Sequence, residues 1–159
     1  MLKFEKLSDV VEDARRLHSL GYEQLGNWDL AQVCGHLEDW MRFPVEGFPK
    51  APFPVNVMLW MMKLTIGKST LRKMLETETM KEAAPTMPST VKAFDAVSSE
   101  KAIKGLEQAI QQFEAHQGDY IPSPLFGQMT REQAMDLQKV HCSHHFSFLL
   151  PKDTKTLDI

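Results

Sequence analysis

Apolar residues recur at helical spacing in four stretches of this chain, and nowhere do they alternate as on a half-buried strand. The first stretch opens at Ser8, read as an N-cap. It sets Val11, Ala14 and Leu17/His18 on one face and ends at Gly21. The second begins around Asn27, Trp28 and Asp29, with Asn27 as the predicted cap. Leu30, Val33, Cys34, Leu37 and Met41 form its stripe, and Pro44 is expected to stop it. The third opens at Ser98, Ser99 and Glu100 and carries Ile103, Leu106, Ile110 and Phe113 before Gly118. The fourth opens at Thr130, where Gln133 completes a capping box. It runs through Leu137, Val140, His141, His145 and Phe148 to Pro151.

The connection from Phe43 to Val97 holds six of the nine prolines: Pro44, Pro49, Pro52, Pro54, Pro85 and Pro88. Residues Val55 to Leu75 within it predict one or two shorter helices, broken near Gly67. There is no internal repeat and no glycine-rich phosphate loop. Four amphipathic helices with one long crossover predict an all-α four-helix bundle. The length of 159 residues suits a single helical-bundle domain spanning 1–159.

Charge narrows the partners. Eighteen Lys and Arg against 21 Asp and Glu leave a net charge of −3, spread along the chain, so no nucleic-acid partner is expected. Cys34 and Cys142 are too few for a disulfide framework and read as small core residues. The start MLKFEKLSDVVEDARR has no apolar signal core, and the cytoplasm is the expected location. The apolar run Val55–Met62, closed by Lys63, is far shorter than the roughly 20 residues of a membrane span, and no membrane partner is expected. Its methionines read as adaptable packing. Val57, Leu59, Trp60, Met61 and Met62 are apolar on every side, which predicts a homodimer unless the crossover folds back to cap the bundle.

The candidate chemistry lies in His141-Cys142-Ser143-His144-His145. His141 and His145, four apart, share one helical face, as do i, i+4 histidines that bind zinc. His36, on the second helix, follows Val33 by three and precedes Trp40 by four, at the inner edge of that stripe. Three imidazoles can therefore converge inside the bundle. Burying each unpaired would cost about 1–3 kcal/mol. Metal coordination satisfies all three at once; local hydrogen bonds or solvent are the alternative. His144 sits about 100° from His145 around the helix and reads as a supporting or packing residue. His18 and His116 read as surface residues.

The segment Trp28-Asp-Leu-Ala-Gln-Val-Cys-Gly-His36-Leu-Glu-Asp-Trp40 resembles the second helix of the DinB/YfiT-like superfamily of metal-dependent bundle proteins. There a Trp-led helix reaches a His-Leu pair, and the fourth helix ends in His-x-x-His-His, as His141 to His145 do. Residues Ser123-Pro124-Leu125-Phe126-Gly127 and Thr130-Arg-Glu-Gln resemble one branch of uncharacterised function. Branch members often carry histidine where Ser123 stands. The resemblance implies a four-helix bundle in which His36, His141 and His145 bind one divalent metal.

Three imidazoles leave a coordination position open to water or substrate, as in catalytic sites. Zn²⁺, Ni²⁺, Fe²⁺ and Mn²⁺ all suit such a donor set. Superfamily members resembling this chain include thiol S-transferases and a thiol-dependent isomerase. The expected function is thus metal-dependent thiol transfer or hydrolysis on a small molecule, with a low-molecular-weight thiol as candidate partner. A non-catalytic, metal-stabilised binding or stress-response bundle is the alternative. Gln138 is placed to orient a bound group, Trp40 to wall the pocket, Asp39 to graze its rim, and Glu38 to face solvent.

Overall fold

The structure, a computed structural model, describes residues 2–81, 87–92 and 98–152. Pro85, Val97 and the last seven residues of the expected domain lie outside the described residues. The described chain is mainly helical. Its helices are α1 (Leu7–Leu20), α2 (Leu30–Glu46), α3 (Val55–Thr65), α4 (Gly67–Thr77), α5 (Ser99–Ala115) and α6 (Arg131–Phe146). A 3-10 turn, Pro88–Thr90, lies within the connection.

Local chemistry sets the helix starts. Asp29, not Asn27, caps α2: its carboxylate accepts from the Gln32 amide at 2.8 Å, while Gln32 Oε1 accepts from the Asp29 amide at 3.0 Å. Thr130 and Gln133 form the same reciprocal pair at α6, and Ser98 caps α5. Helix α1 starts one residue before Ser8, because the Asp9 carboxylate accepts from the Lys6 amide at 3.0 Å and closes the first turn there. The predicted break near Gly67 is present between α3 and α4.

Two helix ends also differ from the sequence reading. Pro44 does not stop α2, which continues to Glu46. A proline four residues after Trp40 cannot donate to the Trp40 carbonyl, and Gln138 Nε2 of α6 supplies that missing donor at 2.8 Å. The fourth helix ends at Phe146 rather than near Pro151. Leu149–Pro151 (β2) instead pairs antiparallel with Tyr22–Gln24 (β1), in the register Tyr22↔Pro151, Glu23↔Leu150 and Gln24↔Leu149. This two-stranded clip ties the end of α1 to the end of α6. At three residues per strand it is too short to show an alternating pattern.

The long helices α1, α2, α5 and α6 enclose the core, with α2 packed most extensively against α5. Leu7, Leu17, Leu30, Leu37, Met41, Leu106, Phe113 and Phe146 are essentially sealed from solvent. Each such side chain stabilises the fold by about 1.5–3 kcal/mol. Cys34 and Cys142 lie within this core, and burial pushes the Cys34 thiol up to about 12 and the Cys142 thiol higher than its ordinary value. Helix α3 is different: none of its residues is buried, and Trp60 is 56 % exposed. The crossover therefore does not fold Trp60 away. Among the described residues no helix is long and apolar enough to cross a membrane.

Candidate metal centre

Helices α2 and α6 bring His36, His141 and His145 together, their ligating nitrogens all within 4.8 Å of one another. His36 arrives on the Val33–Leu37 face of α2, which is buried against α5 and α6. His141 and His145 arrive one turn apart on α6. His141 Nε2 stands at the centre, 3.2 Å from His36 Nε2 and 3.1 Å from His145 Nε2. His36 and His141 are buried, at 2 % and 8 % exposure, and His145 is half-buried.

The proton on His36 can be placed from its neighbours. Thr90, fully buried, donates its hydroxyl to the Met87 carbonyl oxygen at 2.7 Å. Its oxygen, 3.0 Å from His36 Nδ1, is then an acceptor, with the Thr90 carbonyl a further 3.4 Å acceptor. Nδ1 therefore carries the proton, and Nε2 turns a lone pair toward the other two rings. A proton on His145 Nε2 satisfies its contact with His141 and leaves His36 and His141 lone pair against lone pair, whereas a proton on the central His141 Nε2 is divided between two acceptors. A single cation resolves both. Nitrogens bound to one ion at about 2.0–2.1 Å stand roughly 2.8–3.4 Å apart for angles between octahedral and tetrahedral. The two close separations, 3.2 and 3.1 Å, fall in that interval, and the third pair lies within 4.8 Å, so the donor set fits a divalent ion.

Electrostatics agree with neutral rings. Burial lowers His36 to about 4, against the upward pull of its Thr90 hydrogen bond. Burial, with the His36 and His144 rings, lowers His145 to about 3. His141 is held well below its ordinary value by burial first and then by His145 and His36. All three are free bases at neutral pH, which is the form that ligates.

Aromatic rings wall the cluster. Trp28 stacks on His145 with centroids 5.3 Å apart and planes 14° apart, and lies 4.9 Å from His36. Trp40 meets His141 edge-on at 5.5 Å, and its buried Nε1–H has no hydrogen-bond partner among the described residues. His144 contacts the ring of His145 from outside the cluster, at 5.1 Å. His18 is exposed and 3.7 Å from Glu100; His116 stacks on Tyr120 near the surface.

Among the described residues, no carboxylate joins the histidines. Asp39 is held by Lys92 at 2.6 Å. Glu38 does not face open solvent: it pairs with Arg42 at 2.9 Å and lies over Gly105 of α5, where a Cβ would collide with it. Gln138 spends its amide N–H on the Trp40 carbonyl rather than on the cluster. A cleft of about 530 Å³ between α2 and α5 is lined by none of the three histidines. Ser123 acts locally, its hydroxyl accepting from the Leu125 and Phe126 amides.

Sequence reasoning missed two contributors. Trp28 stands just before the Asp29 cap, outside the helical periodicity that located His36. Thr90 had no signal, lying 54 residues from His36 in the connection.

The family model described as "Protein of unknown function (DUF1569)" matches residues 1–152, nearly the whole chain. The chain belongs to that family. No curated protein and no solved structure matches it. The family description carries no activity, so the functional reading of this DUF1569 member rests on the geometry of its three histidines.

Proposed function

We propose that this chain is a single-domain, DinB/YfiT-like four-helix bundle, with α3 and α4 in its crossover. In this reading it holds one divalent metal through His36, His141 and His145 and acts on a small molecule by thiol transfer. The observation that carries this reading is the facing of three neutral Nε2 atoms at 3.1 and 3.2 Å, with the His36 tautomer set by Thr90. Zn²⁺, Ni²⁺, Fe²⁺ or Mn²⁺ suits the three nitrogens.

A metal so held supplies Lewis acidity that lowers the pKa of a bound thiol or water. The chain's own residues do the rest. Trp28 and Trp40 keep the rings in place and exclude water from their far sides. The unpaired Trp40 N–H is a spare donor in the wall of the site. Among the described residues no carboxylate stands beside the histidines, which favours thiol transfer over hydrolysis. Hydrolysis wants a general base at hydrogen-bond distance from the attacking water, whereas thiol transfer would place no such demand on the chain's own residues.

The same lack of acid–base groups gives the second reading some support, a metal-stabilised binding or stress-response bundle without chemistry. A low-molecular-weight thiol as partner and a cytoplasmic setting belong to the first reading. The two separate on adding a small thiol to the Co²⁺-loaded protein and recording its absorption spectrum. A sulfur-to-cobalt charge-transfer band supports thiol activation. An unchanged spectrum favours the non-catalytic bundle.

A further inference from the structure

Helix α3 combines two properties that oppose each other in water. Its sequence is apolar apart from Asn56 and Lys63, which share one face, and Thr65, yet none of its residues is buried. Phe53, just before it, is 81 % exposed, and Val55, Val57, Met58, Trp60, Met61 and Leu64 are all exposed. At about 100° per residue these positions sweep most of the helix circumference. Apolar surface of this extent marks a binding face.

Charge identifies what covers it. Residues 47–75 contain Lys50, Lys63, Lys68, Arg72 and Lys73 and no Asp or Glu, in a chain whose net charge is −3. All but Lys63 are exposed. Lys68 donates to the Gln128 carbonyl and Arg72 reaches Glu76 at 3.9 Å, while Lys50, Lys63 and Lys73 make no ion pair among the described residues. A second copy docking through the same face about a two-fold axis would set these five cations against five more. An anionic bilayer surface suits both properties. Acyl chains surround the apolar side chains, and phosphate headgroups meet the lysines and arginine. With 11 residues, α3 is about half the length a span needs, so it would lie in the interface.

We propose that α3, with Phe53 ahead of it and the cations of residues 50–73 beside it, docks this protein on the anionic surface of a lipid bilayer. The proposal is independent of the metal reading. The test is co-sedimentation of the full chain with vesicles of phosphatidylcholine alone and of phosphatidylcholine mixed with phosphatidylglycerol. The mixed vesicles should retain it and the neutral ones should not. Replacing Lys68, Arg72 and Lys73 together by Gln should weaken binding by about fivefold per charge. Trp60→Asp should abolish binding with the helical circular dichroism unchanged, because the residue is exposed. Brominated lipid should quench the wild type more than Trp60→Phe. Failure to bind either vesicle, or equal binding to both, would overturn the proposal. So would a dimer by light scattering that Trp60→Asp dissociates, since a second copy would then cover the face.

Discussion

Thr90 Oγ1 lies 3.0 Å from His36 Nδ1 and donates its own O–H to the Met87 carbonyl, so one buried hydroxyl fixes which nitrogen of His36 faces the other histidines. Such supporting contacts are typically worth a factor of about 10–100 in metal affinity. Thr90→Val should therefore weaken metal binding by roughly that factor, and Thr90→Ser should restore most of it. Competition with a chromophoric chelator reads both. Equal affinities in all three proteins would show that the tautomer of His36 does not depend on Thr90.

Acid should destabilise the metal-free protein. His36, His145 and His141 are held below the ordinary histidine value of 6.5, the first two at about 4 and about 3. The folded chain thus binds fewer protons than the unfolded chain as pH falls below 6.5. Stability present above that pH is lost on acidification toward about 4, by about 1.4 kcal/mol per pH unit for each proton taken up on unfolding. Urea titrations between those limits should show this slope, and the His36→Ala/His141→Ala/His145→Ala variant should have a much flatter one. A parallel slope in the variant would assign the acid sensitivity elsewhere.

Gln138 should matter for stability and not for metal. Its amide supplies the hydrogen bond that Pro44 cannot give to the Trp40 carbonyl. Gln138→Leu leaves that carbonyl without its donor and should cost about 1–3 kcal/mol. Metal stoichiometry should stay at the wild-type level. A large loss of metal with unchanged stability would instead make Gln138 part of the site.

The sequence exposed the site more readily than its supports. The His141/His145 spacing and the position of His36 beside Val33 and Leu37 follow from helical periodicity, and these three rings do meet. Capping residues located the starts of α5 and α6 for the same reason, because a cap is a local interaction. Thr90 could not be found this way, since its partner is distant in sequence and its 3-10 turn has no periodicity. Pro44 misled because its cost in α2 is offset by a residue on another helix. The largely apolar pattern of α3 does not distinguish a core helix from an exposed one. In the structure none of the residues of α3 is buried.

The metal-to-chain ratio of the reconstituted protein, measured by mass spectrometry beside its neighbouring histidine variants, tests the central claim most directly. The wild type should retain one divalent ion per chain after gel filtration. His144→Ala should retain it as well, because that ring lies outside the cluster, and His141→Ala and His145→Ala should lose it while remaining helical. A metal-free wild type, or the same ratio in all four proteins, would contradict a three-histidine centre.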